Sequence, residues 1–530
     1  MKKFKTVIAL LLVAVMAIGA LSACGGGGGG NSGGGGGADA GSAAQEADVP
    51  SGDNAGRELN YGISGDAGTL YPFAAQAGFV MMEYAFYEPL WNFTADGERY
   101  FVLAEDWQMI DDTHYQLTIR DDVTFSNGNP LTASDVYFSM KLCAEDPRFY
   151  LNVKAVDIDR TTVTGDYTMD VYYTDFNSTQ DVSFSALLIL DEESYDLEYL
   201  ANHTIGTGPY VCTEYVNNSH VTAVARDDYW GDQPQIQQIN FKVINEPAQY
   251  INELETGGLD IASSIPFAEI DYVRDLGYNV TSNFGKYSIT ALYSFNGPLA
   301  NQDARYAVSY AINRDDVAQI MFGGTSEPCT YATSNYQTDY EPRFSEISEM
   351  YDLNMSQEDR VALAQQYAES GGLVGQTLKL ITNGAEDYNN AATVIQDNLS
   401  AIGVNVEIVP LDSATYFATV MDETNFDIAL FYLVAPSYQI ADVCGNYMDF
   451  VPLGWSGPQR DEAYENFQTA LRLVDPAERS DYIYHGLEVF QEVCPWYAMC
   501  EAVSPMAVSA DLGGAVYGLN GYVYQHLYWQ

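Results

Sequence analysis

The side chains best able to do chemistry are histidine, cysteine, serine and the carboxylates, so their spacing is the first question. The five histidines, His114, His203, His220, His485 and His526, are scattered along the chain. No H-E-x-x-H, G-x-S-x-G or Walker A pattern occurs. Gly454-Trp455-Ser456-Gly457 holds a serine but lacks the nucleophile-elbow spacing. The sequence thus predicts no enzyme, no catalytic residue, no cofactor and no metal site. What it offers in quantity is tyrosine, 41 of them. Aromatic walls with a few placed polar groups suit a ligand cleft, though most of so many rings must serve packing. Cys24 stands apart from Cys143, Cys212, Cys329, Cys444, Cys494 and Cys500. Six cysteines allow about fifteen full pairings, and buried free thiols are an equal alternative.

The elements that position these groups come from a chain of 530 residues, 47% of them hydrophobic. That is material for roughly three or four domains. Asp and Glu number 73 against 22 Lys and Arg, a formal net charge of -51. Phosphate binding needs clustered cations, so nucleic acid is excluded as a partner. Lys2, Lys3 and Lys5 precede an apolar run from Val7 to Ala20, which is short for a transmembrane span. Leu21-Ser22-Ala23-Cys24 then resembles a bacterial lipobox. It implies cleavage before Cys24, a lipid on its sulfur and anchoring at the outer face of the cytoplasmic membrane. Residues 24–57 are Gly-rich and read as a flexible tether with a reach of about 30 Å.

Beyond the tether, strand and helix patterns alternate. Leu378 to Thr382 reads as a strand, Ala391 to Ile402 as a helix ended by Gly403, and Val404 to Val409 as the next strand. Thr132-Ala133-Ser134-Asp135 is a capping-box pattern opening a helix that runs to Cys143. Gln302 to Ile312 is a helix, and Asn313 caps another that stops at Gly323. Ala463, Phe467, Ala470, Leu471 and Val474 form one helical stripe. Asp475-Pro476 opens the next helix, with Ile483, Leu487 and Phe490 inward.

Four segments, in order, resemble the extracellular solute-binding proteins of family 5, the peptide-type receptors of ABC importers. They are Val123 to Met140; Gly206 to Tyr210 with Arg226 to Gly231; Phe295-Asn296 with Asp303 to Asp315; and Phe426-Asp427 onward to Gln491. The resemblance implies an α/β, two-lobe periplasmic-binding-protein-like fold of type II with an extra inserted domain and mixed sheets flanked by helices. It divides the chain into a signal segment (1–23), the tether (24–57), a base domain (58–87, 204–286 and 505–530), an inserted domain (88–203) and a second lobe (287–504). It implies a monomer that captures a small solute, peptide favoured, by cleft closure and hands it to ABC permease and ATPase subunits. A non-peptide solute such as a sugar or chelate, or ligand sensing without transport, is the alternative.

By position, the resemblance draws ligand contacts from Ala77, Phe79, Tyr150, Ser264, Tyr293, Asn296, Tyr432, Tyr438 and Tyr517. Trp455 joins them from its glycine-flanked loop. Peptide receptors of this kind often place an Asp after the strand at Phe426-Asp427 to pair the peptide's amino group. Here Pro436 takes the ungapped position, and Asp442 is the nearby acid that a longer loop would bring in.

Overall fold

The computed structural model describes residues 56–530 except 75–76, 95–97, 147–148, 423–424, 434–438, 452, 516 and 519–520. The expectations for the signal segment, Cys24, the tether up to residue 55 and Tyr438 fall outside the described residues.

A ten-stranded sheet runs through the whole body. Its order is Asn405–Pro410, Thr377–Thr382, Ile428–Leu433, Tyr278–Tyr293, Trp496–Ser509, Ile261–Ala262, Leu59–Ile63, Gln238–Val243, His220–Ala225 and Tyr210–Val216. Parallel pairs on either side of an antiparallel centre are followed, at the Tyr210–Val216 edge, by two further antiparallel pairs. The two central strands are 16 and 14 residues long and pair antiparallel along most of their length. Their register shifts between Phe284 and Ser288 and again at Ile289/Thr290. Such irregularities bend strands locally, and here they fall where the shared sheet passes from one hydrophobic core to the other.

Burial groups the described residues into three cores, the smallest of them Ile244 to Val273 with Ala507. One large core is built from residues 289–503. Another joins residues 59–261 with Met506 to Trp529 in a continuous apolar interior. A separate four-stranded antiparallel sheet is formed by Ala104–Asp111, His114–Ile119, Thr168–Tyr172 and Thr162–Gly165. Helix Ala133–Glu145 starts at the expected capping box: the Thr132 N–H donates to Asp135 Oδ2 at 2.8 Å. Asp475 caps helix Pro476–Val493 by accepting from the N–H groups of Ala477 and Glu478. Asn313 caps Arg314–Phe322, which ends at Gly323 with φ 57°, a conformation that favours glycine.

Two expectations need correction. The helix expected from Ala391 begins at Glu386, because polar residues open its first turn while Tyr388 turns inward. Val474 is exposed, since its helix, Pro458–Arg472, stops before reaching it. All six cysteines among the described residues are free thiols, five of them buried.

Candidate functional site

A polar seam joins residues 154–178 to helix Ile440–Phe450 and its neighbours in the core of residues 289–503. Lys154, just past the turn Tyr150–Val153, places Nζ 3.1 Å from Asp442 Oδ1 on helix Ile440–Phe450. The same oxygen accepts from Asn446 Nδ2 at 2.7 Å. The Asp442 side chain is only 3% exposed, so the ion pair matters for whether this carboxylate can be enclosed. Beside it, Ser178 and Gln439 bond reciprocally. The Ser178 hydroxyl donates to Gln439 Oε1 (3.2 Å), and Gln439 Nε2 donates to the Ser178 carbonyl (3.3 Å). The Ser178 N–H donates to the Leu471 carbonyl at 2.9 Å. Asp339 completes the seam: its Oδ1 accepts the Ile440 N–H at 2.9 Å, while Oδ2 is buried without a partner among the described residues. Burial pushes the Asp339 carboxyl up to about 7, and nearby Asp442 adds to the rise. Near the crossing strands, Phe267 meets Phe322 of the second lobe edge-on at 5.5 Å.

The residues expected from sequence fall into different places. Asp442 lies in the seam with Oδ1 already engaged by Lys154 and Asn446. Tyr293 belongs to packing: it is fully buried, and its hydroxyl meets Ser309 Oγ at 2.8 Å. Phe79 is likewise fully buried, its ring 6.4 Å from Tyr87. Trp455 is half-buried, stacked on Phe295 at 6.1 Å and edge-on to Phe490 at 5.7 Å. Asn296 is exposed beside Gly454, and Ser264 is half-buried next to buried Ile265. Ala77, Tyr150 and Tyr517 sit in the short elements Ala77–Val80, Tyr150–Val153 and Tyr517–Gly518.

Tyr432 is the most informative of the set. It is 9% exposed, yet its hydroxyl is buried with no hydrogen-bond partner among the described residues. Tyr287 meets its ring edge-on at 5.8 Å. Sequence reasoning missed two acids. Asp387 is half-buried, and burial pushes it up to about 6. Glu83, half-buried on Glu83–Phe86, is pushed up to about 8 by burial alone, and its carboxylate has no partner among the described residues. Glu83 follows the Ala77–Phe79 segment so closely that the spacing was a usable signal. A separate groove of about 650 Å³ opens among Arg274, Tyr278, Leu512 and Tyr528, and none of the seam residues lines it.

Glu501 is fully buried on the crossing strand and holds the 326–335 segment against it. It accepts from Ser334 Oγ at 2.6 Å and from the Asn335 N–H at 2.6 Å. Burial pushes it up to about 7, and these two bonds only partly oppose the rise. Glu88, also buried, is pushed up to about 7 by burial against bonds from Tyr229 and Trp230. A folded-state value above the ordinary one means that the native chain binds more protons between about pH 4.5 and 7. Stability therefore falls as pH rises through that window, on the order of 1–3 kcal/mol for each of these two acids. We expect a higher melting temperature at pH 5.5 than at pH 8, with Glu501→Gln flattening the slope. A melting temperature that climbs from pH 5.5 to 8 would reject this assignment.

Two lobes joined by long shared strands and fastened along a polar seam define a two-lobe solute-binding protein. Residues 100–445 match the middle region of the bacterial extracellular solute-binding proteins, family 5, and the chain belongs to that family. It is thus an extracytoplasmic solute-binding component of an ABC transport system and not an enzyme. The periplasmic murein peptide-binding protein MppA of Escherichia coli K12 is 24% identical over 429 residues, 73% of this chain and 77% of MppA. The glutathione-binding protein GsiB of Escherichia coli O1:K1 is 23% identical over 501 residues, 87% of this chain and 92% of GsiB. Among solved structures, the ABC transporter substrate-binding protein CtaP of Listeria monocytogenes superposes with a TM-score of 0.79 at 20% identity, covering 89% of this chain and 99% of CtaP. NikA of Brucella suis, in complex with Fe(III)-EDTA, gives 0.78 at 20% identity, covering 89% of this chain and all of NikA.

Proposed function

We propose that this chain is a lipid-anchored receptor that captures a peptide or peptide-like solute by closing its lobes and delivers it to an importer permease. The observation that carries the reading is the seam. Lys154–Asp442 and the Ser178–Gln439 pair are direct contacts between parts that share only the crossing strands. A pairing of this kind belongs to a closed arrangement, and a ligand favours closure only by binding the closed form better. The peptide preference is supported by relatives such as MppA and GsiB, whose names specify a murein peptide and glutathione. Lipid anchoring is supported by Leu21-Ser22-Ala23-Cys24.

Native mass spectrometry of the protein as purified, followed by denaturation and identification of the released mass, tests the reading. A ladder of short peptides, with compaction by small-angle scattering when they are added back, is the expected result. A single sugar or chelate would reject the peptide preference. A tight ligand that leaves the scattering profile unchanged would reject capture by closure.

A further inference from the structure

Ile440 opens the helix that carries the seam contacts, and its N–H is held by Asp339 Oδ1 at 2.9 Å. The residue before it, Gln439, bonds Ser178, and Asp442, two residues on, pairs with Lys154. Val153 and Ala155, on either side of Lys154, are buried in the core of residues 59–261, whereas Ile440, Ala441 and Val443 are buried in the core of residues 289–503. The Ser178 N–H crosses the seam as well, donating to the Leu471 carbonyl at 2.9 Å. Asp339 thus fixes the helix start from which contacts reach across on both sides.

Half of this carboxylate is left bare. Oδ2 is buried with no hydrogen-bond partner among the described residues. A buried carboxyl with one bare oxygen is far more costly charged than neutral. The groups facing it are Asp442 and Cys444 from helix Ile440–Phe450, Arg479 from helix Pro476–Val493, and Tyr331. Burial holds Cys444 and Tyr331 well above their ordinary values, so both stay neutral. Arg479 Nη2 donates to the carbonyls of Leu473 (3.3 Å) and Val474 (3.4 Å), and Lys154 is engaged by Asp442. Arg479 opposes the rise of the Asp339 carboxyl, but burial outweighs it and leaves the group at about 7. Parting the seam returns water to Oδ2 and lets the group ionise at its ordinary value. We infer that Asp339 is a proton-linked latch of the seam: its carboxyl is neutral while residues 154–178 lie against helix Ile440–Phe450, and it gives up its proton as they part. The inference rests on the reading of the seam as a closed arrangement and adds a regulator to it. Closing takes up a proton, so closure is favoured below about pH 7, and the advantage is lost as pH rises through that value.

Amide hydrogen exchange of the full chain as purified, resolved to Ser178 by overlapping peptides, tests the latch. The Ser178 N–H is protected by a bond across the seam, so its protection reports closure directly. Normalised to the intrinsic exchange rate at each pH, that protection should fall about tenfold between pH 6 and pH 8. Asp339→Asn should keep the pH 6 protection at pH 8, since the amide oxygen still accepts from Ile440 and the side chain never ionises. Asp339→Leu removes the acceptor of the Ile440 N–H and should lower protection at both pH values. Protection that is unchanged or rises from pH 6 to pH 8 overturns the inference. So does an Asp339→Asn protein that keeps the wild-type slope, and so does a Ser178 amide unprotected at pH 6. Scattering then separates the two readings. If a mixture of di- to pentaalanine compacts the protein, capture by closure stands and the latch alone falls; if the mixture binds without compaction, both fall.

Discussion

Replacing Arg226 by methionine is expected to lower the unfolding free energy by about 3–5 kcal/mol, among the largest effects any single change in this chain should have. Arg226 is 4% exposed and is the common donor of three separate stretches of sequence. Its Nη1 reaches the carbonyls of Gly206 (3.3 Å), Thr207 (3.2 Å) and Gly208 (3.3 Å). Its Nη2 reaches the carbonyls of Thr124 (3.2 Å) and Phe125 (3.2 Å), and Nε reaches Asp228 Oδ1 (3.1 Å). The hydrogen bond from Arg226 holds the Asp228 carboxyl below its usual range. Methionine fills similar volume but strips a donor from five carbonyls, and buried acceptors left without donors are costly. The glycines explain why the carbonyls can gather there. A β-carbon at Gly206 would lie 2.1 Å from the Phe86 carbonyl oxygen, so that loop closes on Phe86 only without a side chain. Arg226→Lys should recover part of the loss, since an ammonium cannot span the whole arc of acceptors. Urea unfolding monitored by tryptophan fluorescence would check it. A loss below about 1 kcal/mol would mean that the arginine is not the fastener of this segment.

This arginine also shows what a sequence can and cannot disclose. Gly206 to Tyr210 and Arg226 to Gly231 stand out as a pattern, but nothing local says that one side chain ties them to Thr124 and Phe125. Those acceptors lie 102 and 101 residues away. Helix starts were legible because their causes are local. Thr132 and Asp135 are three residues apart, and Asp475 caps the two N–H groups that follow Pro476. The start of helix Glu386–Ser400 was not legible, since the apolar stripe that signals a helix begins only after its polar first turn. That same polar turn concealed Asp387. Glu501 was equally hidden: its partner Ser334 is 167 residues away. Tyr293 and Tyr432 look alike in sequence. Only the fold shows that Ser309 satisfies one hydroxyl, while the other has no partner among the described residues.

The second large effect concerns closure, and it follows from Lys154. Lys154→Met is expected to raise the dissociation constant of the co-purified solute by about 30-fold or more. The reason is asymmetric. With the lobes apart, Asp442 regains water and loses little when the lysine is gone. With the lobes together, Asp442 is enclosed with Asp339 nearby and no cation in place of Lys154. Removing one partner of an enclosed charge pair costs about 2–5 kcal/mol, and here the cost falls only on the closed form. In the proposed capture by closure, ligand binding draws on that form, so the whole penalty is transmitted to apparent affinity. Asp442→Asn should cost less, because an amide oxygen still accepts from Asn446 and Lys154, 20% exposed, can turn to solvent. The double change, Lys154→Met with Asp442→Leu, should bind better than Lys154→Met alone, since an apolar pair removes the stranded charge. Calorimetric titration of the wild type, Lys154→Met, Asp442→Leu and their combination gives the coupling energy directly. Scattering on the ligand-free samples should show Lys154→Met as the most expanded. Additive effects of the two single changes would mean that the pair is a bystander to closure, and the burden of holding the lobes would pass to Ser178 and Gln439.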